Sequence, residues 1–162
     1  MQPTDAAEPE QSRQIETTRL IRGPRSLVFR AWTEARHLDR WFGPRGFTTT
    51  THALEFRVGG VWAFDMRGPD GTVYPNHIEW REIVPVQRIA FRHGAHAHDQ
   101  AAFDVTVRFV DRGEQTELTL RTVFRSTAER DAAVDRHGAA EGAQQTLERL
   151  ERFVDEFQAP ST

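Results

Sequence analysis

Between Phe47 and Phe124 the chain is a succession of short alternating segments separated by turn residues, and this pattern leaves little choice of fold. Strict alternation of apolar and polar residues marks strands with one buried face. Gly59-Gly60, Pro69-Asp70-Gly71 and Asp111-Arg112-Gly113 are reversals of the kind that join neighbouring strands. The spacing predicts strands over Thr48–Val58, Val61–Arg67, Thr72–Val84, Arg88–His93, Ala102–Val110 and Glu117–Phe124, with an earlier one over Ile15–Arg22. Short turns between consecutive strands make them antiparallel neighbours.

Helical spacing appears only outside this block. After Pro24, residues Leu27, Val28, Ala31 and Trp32 recur on one face. A second short helix is predicted over Ala35–Trp41 and ends at Gly43-Pro44. Near the C-terminus Ala143, Leu147, Leu150, Val154 and Phe157 recur at three- and four-residue steps, opposite Glu148, Arg149, Glu151, Arg152, Asp155 and Glu156. That is a long amphipathic helix, with Arg149 and Arg152 read as surface partners of its glutamates. Thr127 is the expected cap of a preceding helical segment, which Gly138 interrupts. Segregated helices and hairpin-linked strands give an α+β fold. The expected organisation is a disordered tail over 1–14 and a single domain over 15–158. A single helix cannot cover the whole inner face of such a sheet, so a ligand-sized cavity is expected between the two.

Composition removes several functions. The 162 residues contain no cysteine and no lysine, which excludes disulfides, thiol nucleophiles, Schiff-base chemistry and a P-loop lysine. A net charge of −3 gives no basic excess for a general nucleic-acid binder. No apolar run approaches the ~20 residues of a membrane span. The polar, acidic first residues lack the apolar stretch of a secretory signal, so a cytoplasmic protein is expected.

Several motifs in one order resemble a known family. They are Trp41-Phe42-Gly43-Pro44 with Gly46-Phe47-Thr48, Val58-Gly59-Gly60-Val61-Trp62, Gly68-Pro69-Asp70-Gly71, Glu82-Ile83-Val84-Pro85 with Arg88-Ile89, and Gly138, Gly142 and Leu147 to Leu150. From about Ile15 to Phe157 the chain resembles the Hsp-ninety-ATPase-activator-homologue-like family of the START-like SRPBCC superfamily. The resemblance implies a helix-grip fold, a curved antiparallel sheet wrapped around a long C-terminal helix, and no cofactor. Its superfamily includes lipid carriers, cyclases, hormone-binding proteins and co-chaperone domains. The co-chaperone behind the family's name has an additional chaperone-binding domain, for which this sequence has no room. Ala143 stands where relatives often carry Trp, a departure that widens the expected cavity.

Strand parity then nominates the inner wall: Trp62, Phe64 and Met66, then Tyr74, Asn76, Ile78 and Trp80, then Ile89, Phe91 and His93, then Phe103, Val105, Val107, Phe109, Leu118 and Leu120. A small hydrophobic or aromatic ligand would contact Trp62, Phe64, Trp80 and Phe91. Tyr74, Asn76 and His93 would orient its polar groups, and Trp41 with Phe42 would flank the mouth. An enzyme of the cyclase or hydrolase kind is the alternative. It requires an ionisable group inside, but parity sends Asp65, His77 and Glu79 to the opposite face, and Glu55 is the remaining carboxylate considered. A protein-interaction module or a homodimer would instead expose an apolar patch, for which Trp41, Phe42 and Phe47 are the candidates. His93, His96, His98 and Asp99 have the residue types of a metal site, but they lie in a Gly/Ala loop and read as solvated.

Overall fold

The structure is a computed structural model that describes residues 8–158. Its strands are β1 (Gln14–Ile21), β2 (Thr48–Leu54), β3 (Val61–Arg67), β4 (Val73–Val84), β5 (Arg88–Gly94), β6 (Phe103–Arg112) and β7 (Gln115–Val123). They form one seven-stranded antiparallel sheet in the order β1-β7-β6-β5-β4-β3-β2. Strands β2 to β7 are thus a meander, as the turn signals require, and β1 returns to pair along β7 from Gln14–Val123 to Ile21–Thr116. Helices α1 (Arg25–Arg30) and α2 (Ala35–Trp41) carry the chain from one edge strand to the other. Helices α3 (Thr127–His137) and α4 (Ala139–Gln158) follow the sheet, and α4 packs against β1 and α2. This is the expected α+β helix-grip arrangement, an open antiparallel sheet with a long C-terminal helix.

Four local features differ from the sequence reading. Of the tail expected over 1–14, residues 1–7 lie outside the described residues. Glu10–Arg13 form a 3-10 turn and Gln14 already belongs to β1. Polar contacts to distant residues hold this segment: Arg13 donates to the Phe124 carbonyl at 2.9 Å, the Thr127 N–H donates to Glu8 at 3.0 Å, and Arg121 pairs with Glu10. Such contacts leave no periodicity in the sequence.

Strand β2 ends at Leu54 rather than Val58, because Gly59 and Gly60 turn aside to border β4. The Gly59 N–H donates to the Trp80 carbonyl at 2.8 Å, and the Trp80 N–H donates to Gly60 at 3.0 Å. A Cβ on Gly60 would sit 2.1 Å from the Glu55 carbonyl oxygen, so only glycine fits. The register of β4 against β5 then slips between Trp80 and Glu82, and this bulge lets both Trp80 and Ile83 reach the core. Finally, the cap of α3 is Ser126, one residue before the expected Thr127. Its Oγ accepts from the Glu129 N–H at 3.1 Å, and Gly138 ends the helix in the left-handed region at φ 59°.

Candidate functional site

The space between sheet and helices is filled at one end and hollow at the other. At the filled end Trp62 and Phe64 of β3 stack with ring centroids 3.9 Å apart, and Phe42 meets Trp62 edge-on at 4.8 Å. Trp41 of α2 packs on Trp32 at 4.8 Å and donates its indole N–H to the Ala31 carbonyl at 3.1 Å. The indole N–H of Trp62 donates to Thr51, whose hydroxyl donates to Asp39 at 2.6 Å. Trp41, Trp62, Phe64 and Trp80 are all buried. They touch one another rather than a void.

The hollow end is a cavity of about 380 Å³. Its floor is the inner face of the sheet: Ile15 and Thr17 of β1, Met66 of β3, Phe91 and His93 of β5, Phe103 and Val105 of β6, and Leu120 and Thr122 of β7, with Phe124 just beyond. Its roof is Ala133, Ala139, Gly142, Ala143 and Thr146 of α3 and α4. Trp32, Phe42, Gly43 and Pro44 wall it on the side of the filled end. His137 and Gly138, both exposed, border it where α3 meets α4. Among the described residues no Asp, Glu or Arg lines it. A roof of Ala and Gly above a floor of Phe and Leu leaves a gap that the backbone layers cannot close.

His93 sets an imidazole into the sheet side of this wall, beside the hydroxyls of Thr17 and Thr122. It pairs with Ile78 of β4 and Phe103 of β6 in the middle of the sheet, and its ring lies 4.9 Å from that of Phe103. Its Nε2 is 2.7 Å from Oδ1 of Asn76, and Nδ2 of Asn76 donates to the Tyr74 carbonyl at 2.9 Å. Loss of hydration lowers the imidazole pKa from 6.5 to about 4, so the ring is neutral near pH 7.

The nominated residues therefore separate into three groups. Phe91 and His93 line the cavity, and Asn76 holds His93 from behind. Trp41, Trp62, Phe64 and Trp80, expected at the ligand, are packed in the filled end instead. Tyr74, expected to orient polar groups, is 48% exposed beside Phe47 at 6.1 Å. It has the right parity but lies beyond the end of the cavity. Phe42 lines the wall as expected of a mouth residue, whereas Trp41 does not. Trp32, Thr17 and Thr122 are lining residues that parity on the central strands did not single out. Ala143 lies in the roof, where its small side chain leaves room.

Other candidates go elsewhere. The apolar patch expected from Trp41, Phe42 and Phe47 is not formed, since Trp41 is buried and the two Phe residues are half-buried. Asp65 pairs with His52 at 2.9 Å, and His77 and Glu79 border a groove that also holds Arg81, Arg92, His96 and His98. His93 faces the cavity, apart from its sequence neighbours. The Asp99 carboxylate accepts from the Ala95 and Ala101 N–H groups at 2.8 and 2.9 Å, and these bonds lower its pKa. Among the described residues no group of three or more His, Cys, Asp or Glu is placed to hold a metal.

Arg149 corrects its surface reading. One guanidinium nitrogen donates to the carbonyls of Gly43, Pro44 and Phe47 at 2.9, 3.1 and 3.1 Å. Burial, and Arg152 nearby, lower its pKa. It ties the cavity wall at Gly43-Pro44 to α4. The carbonyls of a helix-ending loop satisfy it where a glutamate was expected.

Residues 22–155 match the family described as activator of Hsp90 ATPase homolog 1-like protein. The chain belongs to this family. No curated protein matches the chain. Among solved structures, a solution structure of a protein from Arthrobacter aurescens is similar with a TM-score of 0.83 and 23% identity, over 92% of this chain and 90% of that one. Protein Ms6760 from Mycobacterium smegmatis is similar with a TM-score of 0.82 and 20% identity, over 96% and 99%. DynU16, from the dynemicin biosynthetic locus, is similar with a TM-score of 0.66 and 19% identity, over 88% of this chain and 47% of that one. At these identities the likeness is one of fold. No described helix is long and apolar enough to cross a membrane.

Proposed function

We propose that this member of the family binds a small, uncharged hydrophobic or aromatic molecule in the cavity between the sheet and the first turns of α4. The observation that carries the reading is the lining itself: about 380 Å³ of space, mainly apolar side chains with three threonines, the neutral imidazole of His93 in the wall, His137 at the border, and no Asp, Glu or Arg among the described lining residues. Small-molecule sites have this composition and occupy roughly 300–1,000 Å³. Apolar burial would supply the affinity, and no arginine among the described lining residues is placed to receive an anionic ligand.

Binding is favoured over catalysis because acid–base chemistry asks for a proton donor and an acceptor near the reacting atoms. Glu55, Asp65 and Glu79, the carboxylates considered for that work, are not among the lining residues, and neither are His77 and Tyr74. Native mass spectrometry of protein purified from its own host, with Trp fluorescence against a panel of hydrophobic molecules, tests the proposal. A retained small molecule, or saturable quenching of the wall residue Trp32, is expected. Protein that is empty and insensitive to the panel contradicts it.

A further inference from the structure

Two contacts in series fix the polar face that His93 turns to the cavity. His93 Nε2 lies 2.7 Å from Asn76 Oδ1, and Asn76 Nδ2 donates to the Tyr74 carbonyl at 2.9 Å. The Asn76 amide cannot be turned over, because that would set its own carbonyl oxygen against the carbonyl oxygen of Tyr74. Oδ1 therefore faces the imidazole, and a carbonyl oxygen only accepts. The proton of the neutral ring must sit on Nε2. The other nitrogen, Nδ1, is left as a lone-pair acceptor.

Nδ1 has no partner among the described residues, and it is not sealed in protein. The buried side-chain nitrogens without partners are those of Trp32, His37 and Trp80, and His93 is not among them. Its ring borders the cavity. A purely apolar occupant would cover this lone pair and leave it unsatisfied, which is costly in a dry wall. A ligand offering only a carbonyl or ether oxygen would set lone pair against lone pair. Changing the tautomer to meet it would set Nε2 against Asn76 Oδ1.

We infer that the ligand presents a hydrogen-bond donor, a hydroxyl or an N–H on an otherwise apolar frame, to Nδ1 of His93. The inference rests on the cavity reading above. Asn76 is then a positioning residue: it need not touch the ligand, and it decides which kind of ligand His93 accepts.

Two probes of equal size separate the inference from the cavity reading. 2-Naphthol carries an O–H where 2-methylnaphthalene carries a methyl group. Titration of the nitrogen-15-labelled chain, followed by its amide resonances, is expected to show 2-naphthol binding at least about tenfold more tightly, since a site that hydrogen-bonds a hydroxyl rejects the analogue lacking it. In Asn76→Leu the preference is expected to shrink towards unity, with 2-methylnaphthalene still bound. The ring-nitrogen spectrum of the wild-type protein reads the tautomer without any variant, and the proton is expected on Nε2. A proton on Nδ1, or equal binding of the two probes, overturns the inference while the cavity reading stands. Binding of neither probe overturns both.

Discussion

From Leu147 onward α4 presses Leu147, Leu150, Phe153 and Val154 into the core, while over its first turns it turns Ala139, Gly142 and Ala143 to the same sheet. The first set joins the closed core that also holds the rings of Trp62, Phe64 and Trp80. Beneath the second, Phe103, Leu120 and Phe124 face open space. Helix and sheet are continuous through both regions, so the backbone does not create the cavity. It arises where the small side chains of the first turns of α4 face the sheet, away from the rings of Trp32, Trp41 and Phe42 that close the other end. The filled end supplies stability and the hollow end the space for the proposed ligand, and Arg149 ties the Gly43-Pro44 wall of that space to α4.

The largest test of this contrast is a pair of truncations. Trp62→Ala removes a fully buried ring from the filled end and is expected to cost about 3–5 kcal/mol. Phe103→Ala, at the edge of existing space, is expected to cost less than half of that. Urea unfolding of the two variants measures the difference. Equal losses would mean that the two ends are packed alike.

A smaller effect sharpens the contrast through pH. His93 has its pKa lowered from 6.5 to about 4 by burial. Between those values the unfolded chain binds the proton more readily than the folded one, so stability rises with pH. The contribution of neutral His93 is complete above pH 6.5, declines as pH falls towards 4 and levels off below it. Its size is at most about 3 kcal/mol, and less where water enters the cavity. His93→Gln is expected to flatten the stability profile between pH 6.5 and 4. Carboxylates held low by arginines, such as Glu82 beside Arg88 and Glu129 beside Arg125, keep their contribution above the ordinary carboxylate range and lose it only at lower pH. Superimposable profiles for the wild type and His93→Gln would place the imidazole in a wet surrounding instead.

How much of this was legible in the sequence follows from range. Turn residues and alternation are local signals, so the meander, the two short helices and the long last helix could be read directly. Parity put Asn76, Phe91 and His93 on the inner face because a strand has two sides. It could not say which inward residues meet space and which meet each other, since that depends on the volumes of partners far along the chain. Trp62 and Trp80 were therefore nominated together with Phe91, although only Phe91 reaches the cavity. Tyr74 shared their parity, but not their position along the strand. Arg149 escapes the sequence reading for a related reason: it lies within a run of charged helix residues, and the carbonyls it meets are about a hundred residues away. Ala143 was the exception, because a small residue on the apolar stripe of a helix already reports missing volume.

The central claim is that the hollow above Phe103 and Leu120 is where the ligand sits, and Ala143→Phe tests it directly. The new ring would enter the cavity from its roof without touching His93's partner Asn76. Titration of 2-naphthol against the wild type and this variant, with a thermal melt of each, is the measurement. Saturable binding to the wild type is expected to weaken at least about tenfold in the variant, while the melt stays cooperative. Undiminished binding to a folded Ala143→Phe protein would contradict it.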